Sequence, residues 1–522
     1  MVFNGLTKKD TSALKGIAIL CIVCHNFLHH LIPSPGENEF LFSANTIHTF
    51  FQMIGNQPSE FINIIFSYLG HFGVQVFILL SGYGLALSML KHEKGWTMFM
   101  VDRLKKLYPL LLTGIIVLLL FKIVDQKVLF NHLEWIEVKY KLLFISNLIP
   151  NSGLSLNGPW WFFGLIFELY LLFPLLYKLI KRFDWKALVA ICVFSYTLIY
   201  LFRNVFDLFH GEILMMNAPG HLPEFCFGIL LAFHKGVKIH PAWLLFAIAV
   251  FCLGNFYAAF YPFTFLAVSV IVLFIYQGLK SLPHRKGWLV KTAVYFGELS
   301  MVMFAVHGFF RDPFLNINNI GDNFGGHLLA FLLFFLTIWI VSLGAKKVYE
   351  WLLTVFAHIK VRESRETHII GIVLKIALGV CAAYVIAYYI IQNGKTPEKE
   401  IENYEIKPAE LSVGSDVDYA HIAKVKFDVR PIKIKIEGSF DMMSLDTVSR
   451  LPIIVLDISG VLWDNIVIPE DLNTSEYKKF DFSYEYSCPW NKNLSGQSLK
   501  VYFWNNKRCS IEAKDIELSV KY

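Results

Sequence analysis

The chain is poor in charge. Of its 522 residues only 17% are Asp, Glu, Lys or Arg, while 55% are hydrophobic; a soluble domain carries roughly 25% charged residues. The apolar residues gather in runs of about 20, the length that crosses ~30 Å of hydrocarbon. A water-soluble globular fold is therefore excluded, and an integral membrane class follows. Cysteine is scarce where it would be informative. Six of the eight cysteines (Cys21, Cys24, Cys192, Cys226, Cys252, Cys381) lie in apolar runs and read as small hydrophobes. Cys21 and Cys24 form a C-x-x-C with no second pair, and no ligand set with metal spacing stands out, so no metal is expected. The first apolar run, Ala13 to Ile32, lacks a small-x-small cleavage site and is long enough to span.

What is present begins with further apolar runs at 66–90, 109–124, 160–180, 186–204, 213–234, 242–260, 262–279, 292–311, 327–345 and 369–391. With the first, these predict eleven crossings. The stretch 138–150 is too short to span and is expected to be interfacial. Starting in the cytoplasm and alternating, the main basic clusters all fall inside, as topology requires. These are Lys91 to Lys106, Lys181 to Lys186, Lys235 to Lys238, Lys280 to Lys291 and Lys346 to Arg365. Residues 1–392 hold 30 Lys and Arg against 20 Asp and Glu; residues 393–522 hold 17 against 21. The membrane part is thus +10 and the tail −4. The positive charge is explained by short loops, so no nucleic-acid partner is expected.

Eleven crossings place the tail outside. An acidic linker, 393–415, leads into alternating runs such as AKVKFDV, IKIKIEG and LKVYFWN. Alternation at period two, broken by Gly, Asn, Asp and Pro, predicts seven or eight strands of one β-sandwich or jelly-roll-like domain over 416–522. If the tail is extracytoplasmic, Cys488 and Cys509 can bridge. The expected fold is thus a polytopic α-helical membrane protein with a C-terminal all-β domain. It divides into a transmembrane core (1–345), a cytoplasmic loop with an eleventh helix (346–392), the linker, and the β-domain.

An ionisable residue inside a membrane helix is costly and reads as functional by default. His25 lies ten residues beyond Lys15, ~15 Å into the membrane, where a neutral imidazole suits a general base. It reads equally as a packing histidine. Glu168 sits about a third of the way down its helix, free to orient an imidazole, bind a hydroxyl or stay protonated. Trp160 and Trp161 beside it fit either an interfacial belt or a sugar platform. His307 lies toward the outer end of its helix. Arg103 and Lys106 share a helix face at i, i+3 and suit a phosphate-bearing ligand, or simply mark a cytoplasmic edge.

The order of five segments adds more than each alone. ALKGIAILCIVCH, FGVQVFILLSGYGLAL, RLKKLYP, GPWWFFGLIFELYLLFPLL and FGELSMVMFAVHGFF resemble, in sequence, the motifs of the membrane-bound acyltransferase-3 family. The resemblance covers residues 8–345. It implies an O-acyltransferase of surface glycans in a bacterial plasma membrane, with a ten-helix core. His25 is implied as the catalytic base, with Glu168 beside it. Lys15, Arg103 and Lys106 are implied to hold the phosphates of acetyl-CoA or another acyl-CoA, a donor substrate rather than a resident cofactor. Ser81, Tyr83, Trp160, Trp161 and His307 are implied to line the acceptor site. The expected partners are membrane lipid, acyl-CoA and a glycan or lipid-linked sugar. Lys15 and Lys106 stand where the family usually has Arg, which keeps charge but loses bidentate geometry. Some members carry an outer esterase-like domain; this tail has no Gly-Asp-Ser block, and a non-catalytic β-domain is expected, with Trp463, Trp490 and Trp504 as glycan-stacking or core residues. The alternative function is a glycan or lipid-linked sugar transporter, using the same intramembrane His and Glu for proton coupling.

Overall fold

The computed structural model describes residues 2–31, 34–149, 152–202, 212–281, 287–315, 324–358, 400–401, 405, 408–427, 433–445, 451–458, 462–469, 472–487, 497–505 and 509–522. The chain forms two compact units, residues 1–380 and 381–522. In the first, the described helices are α1 (Lys8–Leu28), α2 (Ala44–Asn56), α3 (Phe61–Leu69), α4 (Gly73–Lys91), α5 (Trp96–Phe121), α6 (His132–Leu142), α7 (Trp161–Phe183) and α8 (Trp185–Phe202). They continue with α9 (Glu212–Met215), α10 (Ala218–Phe233), α11 (Ala242–Phe256), α12 (Thr264–Ser281), α13 (Gly287–Val306), α14 (Asp312–Leu315) and α15 (Phe324–Ala357). Val2–Phe3 (β1) and Val237–Lys238 (β2) pair as a short antiparallel ribbon.

Seven helical stretches among the described residues are long and apolar enough to cross a membrane: Lys8–Leu28, Pro58–Lys91, Trp96–Asp125, Gly158–Phe183, Ala258–Lys280, Gly287–Val306 and Gly325–Ala357. Three shorter apolar helices, Trp185–Leu201, Ala218–Phe233 and Ala242–Phe256, match three more of the expected runs. The eleventh run, 369–391, lies outside the described residues. Several boundaries differ from expectation, two of them for a plain local reason. The interfacial stretch begins earlier, as α6, because Asn131 and Glu134 form a reciprocal capping box. The last helix continues past residue 345 to Ala357, since the good helix formers beyond Ala345 sustain it whether or not lipid does.

The helices approach closely at glycine. A Cβ on Gly16 would lie 1.8 Å from the Ala293 carbonyl oxygen, and one on Gly297 1.8 Å from that of Ser12. The α1–α13 crossing therefore brings backbone against backbone, a small-residue contact suited to helices in lipid. Thr7 and Asp10 cap α1 reciprocally, and Asp10 also accepts hydrogen bonds from Tyr276 and Lys280 of α12. The start of α1 is thereby fixed against two other helices.

The second unit holds β3 (Glu400–Ile401), β4 (Glu410–Val413), β5 (Tyr419–Lys426), β6 (Lys433–Ser444), β7 (Ile453–Ile458), β8 (Leu462–Val467), β9 (Lys478–Ser487), β10 (Ser498–Trp504) and β11 (Ile511–Lys521). One sheet runs β5-β10-β7-β8; the other runs β3-β11-β6-β9, with β4 also on β11. All pairings are antiparallel. In β10 the alternation predicted from sequence is plain. Leu499, Val501 and Phe503 are fully buried, in one core with Ile434, Ile436, Phe440 and Met442 of the other sheet. Lys500, Tyr502 and Trp504 face outward. Trp463 is exposed and meets Trp504 edge-on, ring centroids 5.7 Å apart. These two tryptophans are surface residues of the sandwich rather than core; Trp490 and Cys488 lie outside the described residues.

Candidate active site

His25 lies in the last turn of α1. The expectation of a midplane imidazole counted from Lys15, but α1 begins seven residues earlier, at Lys8. His25 is therefore ~26 Å along a 21-residue helix of ~31 Å, one turn from its end. It is 3% exposed.

The ring is held by both nitrogens. Nδ1 faces the carbonyl oxygens of Ser67 at 3.1 Å and Phe66 at 3.3 Å. Both carbonyls belong to the end of α3; that of Phe66 also accepts from the Gly70 N–H, while that of Ser67 lies in the last turn, where carbonyls lack α-helical partners. A carbonyl only accepts, so Nδ1 carries a hydrogen, and Nε2 shares a second proton with the carboxylate it faces. Nε2 lies 2.6 Å from Glu37 Oε2. The contact is possible because the turn after α3 runs directly under α1. A Cβ on Gly70 would lie 2.7 Å from the Cys21 carbonyl oxygen and 2.7 Å from His25 Cβ.

Glu37 comes from the loop between α1 and α2, which its neighbours anchor. Asn38 is buried and exchanges two hydrogen bonds with the backbone of Ser43, and the Glu39 carbonyl accepts one from Tyr261 at 2.7 Å. Burial would raise the Glu37 carboxyl, but the adjacent His25 charge and hydrogen bond outweigh it and hold the group below the usual range. Glu39 goes the other way. Burial, and then the charge of Glu37, push it up to about 8. At neutral pH the loop thus presents one carboxylate and one neutral acid. Two more imidazoles crowd the site: His29 stacks on His25 at 4.6 Å and His71 meets it edge-on at 5.4 Å.

The sequence profile described as "Acyltransferase domain" matches residues 10–346, more than half the chain and every helix around His25. The chain belongs to the acyltransferase-3 family. It is 32% identical over 123 residues to "Acyltransferase MdmB" of Streptomyces mycarofaciens. That alignment takes in 23% of this chain and 32% of the relative, so the chain spans about a third of the curated relative it matches. No solved structure matches.

Within the acyltransferase-3 core the other expected site residues are dispersed. Glu168 does not meet His25: its Oε2 accepts from the Ala218 backbone N–H at 2.7 Å, at the first residue of α10. Lys15 and Ser81 do come together, lining a cavity of about 40 Å³ with Phe162, Phe163 and Tyr170, room for about one water. Arg103 and Lys106 lie on α5, Lys106 exposed and Arg103 half-buried with its guanidinium 5.5 Å from the Phe99 ring. Tyr83 binds the N-terminal segment instead, accepting from the Leu6 N–H at 2.8 Å. Trp160 is fully buried and donates Nε1–H to the Ala305 carbonyl at 2.8 Å. Trp161 is buried between Phe40 and His221. Neither tryptophan therefore forms a belt or an open platform. His307 is fully buried beyond the end of α13, with Nδ1 on the carbonyls of Met303 and Phe304 and Nε2 without a hydrogen-bond partner.

Sequence reasoning missed Glu37. Its signal is faint: a Pro-rich, Gly-containing loop, SPGENEF, that places two acids just past a helix ending in histidines. It also missed His221 and Glu224, a buried pair in α10 joined at 2.6 Å.

Proposed function

We propose that the chain is a membrane O-acyltransferase. It moves an acetyl or other short acyl group from acyl-CoA to a hydroxyl of a cell-surface or lipid-linked glycan. The observation that carries this is the His25–Glu37 contact, with Nδ1 committed to backbone carbonyls and Nε2 directed at a carboxylate. Family membership and the acyltransferase relative support the reaction class.

The proposed chemistry is general-base transfer. With Nε2 unprotonated and Glu37 drawn aside on its loop, the acceptor O–H takes the place beside Nε2 and gives it its proton while its oxygen attacks the thioester carbonyl. Glu37 stabilises the imidazolium that forms, as a carboxylate beside a base does. The C–S bond then breaks, and the coenzyme thiolate takes the proton back from Nε2. Attack by His25 itself, giving an acyl-histidine, is the stepwise variant. Arg103 and Lys106 supply cations for the donor's phosphates on the inner side. Lys15 and Ser81 lie between that face and His25 along α1 and α4. The proposed setting is a bacterial plasma membrane, N-terminus inside and β-domain outside.

The test is mass spectrometry of surface glycans from cells carrying wild-type protein or His25→Ala at equal expression, with thioester cleavage measured in membranes. Loss of glycan acylation and of thiol release is expected. An unchanged acylation pattern would overturn the reading. Movement of a glycan without any thiol release would make the chain a transporter.

A further inference from the structure

We propose that His25, Glu37 and His71 form a binding site for a divalent first-row metal ion of the Zn²⁺ class. One ligand atom from each lies within 4.8 Å of the other two. Two imidazoles and one carboxylate are a common Zn²⁺ donor set, and they leave a fourth position open.

Three observations point to a cation rather than to packing. The first is His71. It is 2% exposed, and both its ring nitrogens are buried without a hydrogen-bond partner. The backbone of Tyr68 approaches the ring but makes no bond of ordinary geometry. A neutral imidazole so placed forfeits both of its hydrogen bonds, which is costly for a buried polar group. A metal ion would use one nitrogen as a ligand.

The second is the outer arrangement of His25. A metal-bound histidine almost always donates its other N–H to a carboxylate or a backbone carbonyl, which fixes the tautomer. His25 does this through Nδ1 to Ser67. The third is the His25–Glu37 contact. A lone pair on Nε2 and a carboxylate oxygen repel unless a cation lies between them. At 2.6 Å that cation is a proton. With metal bonds of about 2.0–2.1 Å in tetrahedral geometry the two atoms would stand roughly 3.3 Å apart. Glu37 is on a loop, so opening the pair asks for less than an ångström from the part best able to move, while the His71 nitrogen, within 4.8 Å of the other two ligand atoms, would have to close toward that same spacing. Proton and metal therefore exclude each other at the same lone pair.

The site rests on residues 25, 37 and 71, distant in sequence and on three different elements, so no ligand spacing betrays it. It also bears on the proposed reaction. A metal on Nε2 removes the base, so the ion acts as an inhibitor that competes with the acceptor's proton. That consequence rests on the transferase reading; the binding itself does not.

The experiment uses the full chain purified in detergent and stripped with EDTA. It is titrated with Zn²⁺, and with Co²⁺ as a spectroscopic probe. Wild-type protein is expected to take up one equivalent of Co²⁺, with the visible bands of a low-coordinate nitrogen–oxygen site. Uptake should weaken as pH falls, because protons compete for the ligands. His71→Ala and Glu37→Gln should each weaken binding at least tenfold. Absence of stoichiometric uptake, or uptake unchanged in both variants, overturns the site. Should His71→Ala fail to fold, judged by its thermal transition, Glu37→Gln on the loop decides alone. Turnover is measured on the same samples with EDTA and with Zn²⁺. Inhibition of wild type that needs tenfold more Zn²⁺ in His71→Ala supports the competition. Uptake by wild type together with full transfer by His25→Ala would sink His25 as the base while leaving the metal site standing.

Discussion

The carboxylate that meets His25 is Glu37, and two glutamates with different surroundings make that separable. Glu37→Gln keeps size and loses charge. It should lower kcat by about 100-fold, within the range a positioned acid–base partner supplies, and lower the melting temperature too, because a buried pair loses one charge. Glu168→Ala removes the side chain that caps α10. It should cost about 1 kcal/mol of stability, as a lost helix cap does, and lower kcat less than Glu37→Gln. Turnover and melting curves of the two variants, side by side, check this; a larger kcat loss from Glu168→Ala would return the catalytic carboxylate to α7. Glu39 adds a pH dependence. Its folded pKa, raised to about 8, exceeds the ordinary ~4.3, so between these values the folded chain holds a proton that the unfolded chain has lost. Stability should therefore fall as pH rises from about 5 to 8, and Glu39→Gln should flatten that slope. Glu37 acts in the opposite sense, its contribution being lost only as acid protonates it. Melting temperatures of the wild type and Glu39→Gln from pH 5 to 9 test the Glu39 slope. At this scale the sequence was only half legible. His25 stood out because an imidazole in an apolar run is anomalous. Glu37 did not, because an acid in a polar loop is ordinary until the loop folds over a helix end.

Helices were far more legible than contacts. An apolar run of spanning length has few alternatives to a helix in lipid, and ten of the eleven expected runs coincide with described helical segments. Their ends were less clear, since capping at Asn131 and helix propensity beyond Ala345 act independently of hydropathy. The strands of the β-domain were legible for the matching reason that period two leaves one face for the core. What runs and periods cannot give is the turn at Gly70, where α3 ends and α4 begins against α1. Gly70→Ala puts a methyl group 2.7 Å from both the Cys21 carbonyl and His25 Cβ. The expected cost is ~1–3 kcal/mol of overpacking, together with a loss of turnover out of proportion to it, because the displaced atoms belong to His25. Gly55→Ala in α2, where a Cβ meets nothing within 4 Å, should be neutral or slightly stabilising. Equal losses of turnover in both would show that the approach at Gly70 does not position the site.

Across the whole molecule, the proposed function requires the two reactants to reach His25 from opposite sides. The charge partition predicts which side is which. A membrane unit of +10, with its basic clusters in alternate loops, holds those loops inside, while a β-domain of −4 carries no such constraint. Against a background freed of native cysteines, Tyr419→Cys on exposed β5 should react with an impermeant thiol reagent in intact cells. Lys94→Cys, beside α5, should react only after permeabilisation. The same arrangement would place Arg103 and Lys106 on the inner aqueous face. Replacing both with Ala should raise KM for acyl-CoA by roughly tenfold or more, with a smaller effect on kcat, since they bind groups remote from the reacting carbonyl. The two results are coupled. Were Lys94→Cys to label from outside, cations on α5 could not meet a cytoplasmic donor, and a raised KM in the double variant would then need another cause. Labelling from the inside with an unchanged KM would instead keep the topology and move the phosphate contacts elsewhere on the inner surface.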